Sequence, residues 1–212
     1  MFTQADYNSL IGSKIQQYFD NEQIVCEDRN IVNKYPCFKR GLLCISNISS
    51  LIPVSPEDFY YCGREIISGL SFVQWVEGRI SCFQMPSNGI AVSFPFTGCY
   101  MSKFEYENKL YIAHIQSGNS SRIDAWNEFV SSNVDKVSVK GLFRPTNLED
   151  DIYRKQQRLL HEHNERKRVC TVGGVILPNN ECYSVLVDVK THKALDIFDV
   201  RSLGDYIPLL SC

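Results

Sequence analysis

The sequence predicts an α+β fold, with a mostly antiparallel β-sandwich or mixed-sheet core flanked by helices. Strand-like runs occur before and after helix-like runs, and tight turn signals join several of the strands. The 212-residue chain is long enough for one substantial core, and it contains no internal repeat or low-complexity tract. We therefore expect a single domain over residues 1–212.

The first third of the chain carries helix signals and one strand. Apolar residues recur at helical spacing through residues 4–19, which predicts a helix. A strand is predicted over 40–46, and Pro53-Val-Ser-Pro56 marks a loop. Ser55 is placed to cap a short helix that would run to about Gly69.

From Leu70 the pattern becomes that of β-strands. The predicted strands span residues 71–76, 79–84, 89–94, 98–106 and 109–116. Glu77-Gly78 is a hairpin-sized turn between the first two, and Glu107-Asn108 is a tight link between the last two.

The last third alternates helices and strands. Gly118-Asn-Ser-Ser121 predicts the cap of an amphipathic helix over 122–132, and a highly charged helix is expected within 147–168. The predicted strands span residues 137–143, 169–177, 182–189 and 194–200.

Composition and charge exclude several partner classes. A net charge of −2 gives no electrostatic case for nucleic acid or an anionic membrane, and no apolar run of about 18 residues exists. The N-terminal Met1-Phe-Thr-Gln-Ala-Asp-Tyr7 lacks the basic and apolar regions of a secretory signal. We therefore expect neither nucleic acid nor a membrane among the partners.

The nine cysteines predict reduced thiols rather than a metal centre. No Cys-x-x-Cys pair occurs, and His161-x-His163 has no cysteine within four residues, so no metal site is expected. Several cysteines lie in apolar strand runs, which favours buried thiols in a reducing compartment.

One cysteine and one histidine stand out. Phe94-Pro-Phe-Thr-Gly-Cys99 precedes one predicted strand, and His114 lies fifteen residues after Cys99 in the next strand. With the turn centred on 107–108, the residue opposite Cys99 is near 116, and His114 is a diagonal neighbour on the same face. A thiol beside an imidazole is the minimal machinery of nucleophilic catalysis. Gly98 would let the backbone approach a substrate, and the Cys99 amide would stabilise an oxyanion.

Each member of this pair also has an ordinary structural explanation. Cysteine is among the most buried residue types, and a histidine on an apolar strand is usually a satisfied core residue. Three features favour a functional pair: glycine precedes Cys99, the spacing matches a hairpin, and His114 is one of only four histidines.

Phe96-Thr-Gly-Cys99 followed by His114 resembles the Leu-Ser-Gly-Cys plus His signature of bacterial glutamine deamidases. That group contains the catalytic domain of the cytotoxic necrotizing factors, Burkholderia lethal factor and the chemotaxis-receptor deamidase. The likeness covers residues 91–118, and Thr97 keeps a hydroxyl where the family has serine.

The resemblance implies a role for each residue of the motif. Cys99 would be the nucleophile and His114 the general base, with Ser93 as the positional candidate for the group that orients the imidazole. Thr97 and Gly98 would supply the backbone around the oxyanion. The chemistry proceeds through a thioester and needs no metal or organic cofactor.

The resemblance also implies a substrate and a setting. The substrate would be a host protein with an exposed glutamine, such as a Rho-family GTPase or a translation factor. We expect a monomeric toxin or effector that is made in the bacterial cytoplasm and delivered to the host cytoplasm without a cleavable signal peptide. Two alternatives stay open. The same dyad could serve a cysteine protease or acyltransferase, or Cys99 could be a core residue of a non-enzymatic effector or adaptor that binds another protein.

Overall fold

The computed structural model describes residues 2–12, 43–45, 52–54, 58–118, 120–146, 150–165, 170–188 and 190–200. Within them, eleven strands form one mixed sheet that curls into a nearly closed barrel, and helices lie against it. This confirms the predicted α+β class with a mixed-sheet core.

The elements follow one another along the chain in a simple order. Helix α1 (Gln4–Tyr7) continues as a π-helical turn (Asn8–Gly12), and two longer helices follow later, α2 (Ser120–Ser132) and α3 (Asp150–Glu165). The strands are β1 (Leu43–Ile45), β2 (Phe59–Ile67), β3 (Leu70–Gln74), β4 (Ile80–Met85), β5 (Ile90–Phe96), β6 (Tyr100–Tyr106), β7 (Lys109–Ile115), β8 (Val137–Phe143), β9 (Cys170–Ile176), β10 (Cys182–Asp188) and β11 (Ala194–Val200).

The sheet order is β11-β10-β9-β5-β3-β2-β4-β7-β6-β8, and β1 pairs with β2. Among the described strands, only the β2–β4 and β3–β5 pairs are parallel. The predicted β6–β7 hairpin is confirmed, with Tyr106 opposite Lys109. Its two turn residues, Glu107 and Asn108, have φ values of 49° and 63°. Positive φ at both central positions matches the right-handed twist of the strands and fixes their register.

Two predictions in the first half of the chain are wrong. The segment expected to form a helix up to Gly69 is instead β2, and its proposed cap Ser55 lies outside the described residues. Consecutive residues Phe59, Tyr60, Tyr61 and Cys62 are all buried, so both faces of this strand are covered. Burial on both faces removes the polar–apolar alternation by which a strand is recognised.

The expected hairpin across Glu77-Gly78 is the second error. β2 lies between β3 and β4, pairing antiparallel with β3 and parallel with β4. The turn does reverse locally, with Gly78 at φ 71°, but turn chemistry does not choose the partner strand.

The later elements agree with the sequence. The predicted strands near 137–143, 170–176, 182–188 and 194–200 and the helices α2 and α3 are all present. The N-terminal helix is described only as far as Gly12, and Asn119 of the α2 cap lies outside the described residues.

The barrel wall has an inner and an outer face. α2 packs on the outer face, where Phe104 meets Trp126 at 5.3 Å and Phe129 at 5.7 Å between ring centroids. Residues of alternate parity on the same strands, including Met101 and His114, therefore point into the barrel. On the other side α1 contributes Tyr7 to a separate outer cluster with Phe72.

Candidate active site

His114 lies in the middle of the barrel wall and points inward. β7 places it opposite Ser81 of β4 on one side and Met101 of β6 on the other. The residue is 1% exposed. Because neighbouring strands fix its backbone on both sides, the position of the imidazole is set by the sheet.

Ser93 reaches His114 across the barrel interior. Its Oγ lies 2.8 Å from Nδ1 of His114 and 2.7 Å from the carbonyl oxygen of Val73. A hydroxyl has one proton, and a carbonyl can only accept, so Ser93 donates to Val73 and accepts from Nδ1–H. The imidazole is thereby held in the tautomer whose Nε2 carries the lone pair.

Phe96 covers one face of the same imidazole. The two rings stack with centroids 4.1 Å apart and planes 1° apart. The β5–β9 register shifts between Ser93 and Phe96, because Ser93 pairs with Gly174 and Phe96 with Val172. The extra residue of this bulge, at Phe94-Pro95, turns Ser93 and Phe96 to the same side of the strand.

The buried imidazole is a neutral base. Removal from water disfavours its charged form and lowers the pKa of His114 from 6.5 to about 3. Among the described residues, Nε2 has no hydrogen-bond partner, and neither does Ser81 Oγ. His114 is thus anchored through one ring nitrogen, while the other keeps its lone pair unused.

Cys99 lies just before β6, at the rim of the barrel. Extending the Tyr100–Ile115 pairing by one residue puts it opposite Gln116 and diagonal to His114, as the sequence predicts. The residue is 6% exposed. Its thiol does not hydrogen-bond Nε2 in this structure, since that nitrogen has no partner. The structure thus joins Ser93 to His114 and leaves Cys99 on the same hairpin face without that bond.

The carbonyl of Gly98 is held by two side chains. Ser117 Oγ donates to it at 2.6 Å and Arg144 Nε at 2.5 Å. A Cβ at position 98 would lie 3.1 Å from Arg144 Nη2, so glycine permits this close approach. Thr97, the other residue expected near the oxyanion, is exposed.

Three residues of this region were missed by the sequence analysis: Phe96 as a stacking partner, and Ser117 and Arg144 as donors to Gly98. Ser117 lies two residues after the end of the histidine strand, and its position there was the available signal. Arg144 lies 46 residues from Gly98 along the chain and gives no local signal.

Other chemistry in the described part of the chain is sparse. No group of three or more metal-ligating side chains occurs there. Five cysteines in that part of the chain are free thiols: Cys62, Cys82, Cys99, Cys170 and Cys182. Burial raises the pKa of the Cys82 thiol far above its usual range, which makes it inert.

An open groove lies on the outside of the barrel, against α2. Its lining includes Asp58, Phe59, Glu128 and Phe129, and none of the predicted site residues. The part of the chain that the structure describes contains no helix long and apolar enough to cross a bilayer.

Comparison of the chain with protein-family models, curated proteins and solved structures gives no match. The resemblance to glutamine deamidases therefore rests on the motif residues alone, and function is argued from the geometry around His114 and Cys99.

Proposed function

We propose that the protein is a protein-glutamine deamidase in which Cys99 is the nucleophile, His114 the general base and Ser93 the group that orients the base. The observation that carries the proposal is the Ser93–His114 hydrogen bond, 2.8 Å long and buried. It gives the imidazole the tautomer that a general base needs, on the hairpin face that Cys99 shares.

The reaction follows from these roles. Cys99 Sγ attacks the side-chain amide carbon of a substrate glutamine while His114 Nε2 accepts the thiol proton. The C–N bond breaks as the imidazolium returns that proton to the leaving ammonia, which leaves a thioester. Water then attacks the thioester, His114 again accepts a proton and returns it to the departing thiolate, and the product is glutamate.

Catalysis requires Cys99 Sγ to approach Nε2. A base whose pKa is about 3 is too weak to hold the proton of a thiol. A thiolate beside the ring would raise the pKa of His114, because an opposite charge favours the imidazolium. We infer that the Cys99 side chain rotates toward His114 while the Gly98 carbonyl stays held by Ser117 and Arg144, so that approach and proton transfer occur together.

A non-enzymatic binding protein is the second candidate, and one observation favours it. His114 is fully buried, stacked and bonded to Ser93, which also describes a structural core histidine. In that case Cys99 would be a rim residue without activation. A cysteine protease or acyltransferase would share the thioester and differ in its product.

Product mass separates these alternatives. We would incubate the protein with host-cell lysate and compare it with Cys99→Ser and, as a matched control, Cys170→Ser. The proposal expects glutamine peptides with the mass of the corresponding glutamate, produced by the wild type and by Cys170→Ser. Cleaved chains would indicate proteolysis, and no Cys99-dependent change would favour the binding protein.

A further inference from the structure

Two donors from separate elements converge on the peptide that precedes the proposed nucleophile. Ser117 follows β7, which carries His114, and Arg144 follows β8. Both donate to the carbonyl oxygen of Gly98, at 2.6 Å and 2.5 Å. A carbonyl oxygen has two lone pairs, so this acceptor is fully used.

Fixing this carbonyl also fixes the amide of Cys99. The Gly98–Cys99 peptide is trans, and in a trans peptide the N–H points opposite to the C=O. The direction of the Cys99 N–H is therefore set by Ser117 and Arg144. An amide that stabilises an oxyanion acts only if its direction is fixed before the reaction.

Arg144 packs against the two residues that flank Cys99, which are Gly98 and Tyr100. Gly98 lacks the Cβ that would lie 3.1 Å from Nη2, and the ring of Tyr100 lies 5.5 Å below the guanidinium carbon. The contacts with Gly98 and Tyr100 thus hold the positive charge of Arg144 beside the Cys99 backbone. A guanidinium in this place attracts anions to the rim where the thiol lies.

We propose that Arg144, together with Ser117, is the positioning residue for the nucleophile: it aims the Cys99 amide at the oxyanion and gives the rim a positive charge. This rests on the proposed function, because it assigns to Arg144 a role in the same reaction. Arg144 acts through Gly98 and needs no contact with the reacting carbon.

The first test observes the held carbonyl directly. Gly98-Cys99 is the only Gly-Cys step in the sequence, so ¹³C′-glycine and ¹⁵N-cysteine labelling gives a single carbonyl–amide cross-peak. We expect this peak to shift in Arg144→Gln and in Ser117→Ala. Arg79→Gln is the matched control, because Arg79 is also half-buried and approaches a glycine carbonyl, that of Gly78 at 3.4 Å. It should leave the peak in place.

The second test measures the charge at the rim through the alkylation of Cys99 by neutral iodoacetamide and anionic iodoacetate. Arg144→Gln should slow iodoacetate by about tenfold more than iodoacetamide, the effect of one charge at the effective dielectric of a protein surface. Arg144→Lys should restore the preference for iodoacetate, because it keeps the charge, but not the cross-peak position, because it loses the planar fork.

The two failures are distinguishable. If Cys99 reacts equally fast in wild type and His114→Ala, the proposed function falls and the positioning role falls with it. If alkylation depends on His114 but neither the cross-peak nor the reagent preference responds to Arg144→Gln, the positioning role alone is overturned. Ser117→Ala removes only a hydroxyl, so an unmoved cross-peak in this variant contradicts the proposal even if Arg144→Gln does not fold.

Discussion

His114 and Cys99 are held in different ways. His114 lies inside the barrel between two paired strands, bonded to Ser93 and stacked on Phe96. Cys99 lies just outside β6, in a segment whose Gly98 carbonyl accepts hydrogen bonds from Ser117 and Arg144. The base is therefore fixed by the sheet as a whole, whereas the thiol depends on a short segment and two side chains.

This difference gives separate roles to the two parts of the candidate site, which are the buried His114 and the segment that carries Cys99. The hydrogen bond with Ser93 fixes the tautomer of the imidazole, and burial inside the barrel lowers the pKa of His114 to about 3. Rotation of the Cys99 side chain moves the thiol without disturbing the sheet or the held Gly98 carbonyl. In the proposed mechanism the sheet supplies a fixed base, and the Cys99 side chain brings the thiol to it.

The largest expected effect is on stability, from a change to the residues that surround His114 inside the barrel. Phe96→Ala removes a 2%-exposed ring that stacks on His114, and we expect it to lower the free energy of unfolding by about 3–5 kcal/mol. Phe94→Ala, on the other side of the same bulge and only partly buried, should cost clearly less. Urea denaturation measures both, and equal losses would contradict the placement of Phe96 against His114.

The next largest effect is that of pH, because a lower pH should destabilise the fold through the buried His114. The folded pKa of His114 is about 3 and its unfolded value about 6.5, so the unfolded chain binds more protons between these values. Stability is therefore lost as the pH falls through this window, by about 2 kcal/mol at pH 5 relative to pH 7.

A pair of histidine variants isolates this contribution. In His114→Gln the loss of stability between pH 7 and pH 5 should be smaller by that amount. His161→Gln, whose side chain is 75% exposed on α3, should keep the wild-type dependence. Urea denaturation at both pH values checks this, and an unchanged slope in His114→Gln would show that the imidazole is not buried as described.

A smaller effect on stability should distinguish the two serines near the imidazole of His114, which are Ser93 and Ser81. Ser93→Ala removes the hydroxyl that donates to the Val73 carbonyl and accepts from the imidazole Nδ1–H, which should cost about 1–3 kcal/mol. Ser81 lies opposite His114 on β4, and its Oγ has no hydrogen-bond partner among the described residues. Ser81→Ala should therefore be close to neutral in thermal unfolding. A reversed order would remove Ser93 from its orienting role.

The sequence predicted the parts of this site that depend on local chemistry. The Glu107-Asn108 turn sets the β6–β7 register, so the diagonal placement of Cys99 and His114 follows from counting residues. Ser93 was found by its position before Cys99, although its contact with His114 crosses the barrel.

The missed features depend on partners far away in the chain. The bulge that brings Phe96 onto His114 arises from pairing with β9, and Arg144 reaches Gly98 only after β8 joins β6. β2 was mistaken for a helix because burial on both faces removed its alternation, and its insertion between β3 and β4 is a matter of sheet order. Such pairings are decided by the whole sheet rather than by local patterns.

The most direct test of the central claim is the rate at which native Cys99 reacts with iodoacetamide at neutral pH, followed by peptide mass mapping. The account predicts that Cys99 reacts faster than the half-buried Cys170 and that His114→Ala slows Cys99 by about tenfold or more, while leaving Cys170 unchanged. If Cys99 reacts no faster than Cys170, or equally fast without His114, the imidazole does not activate this thiol and the deamidase proposal is wrong.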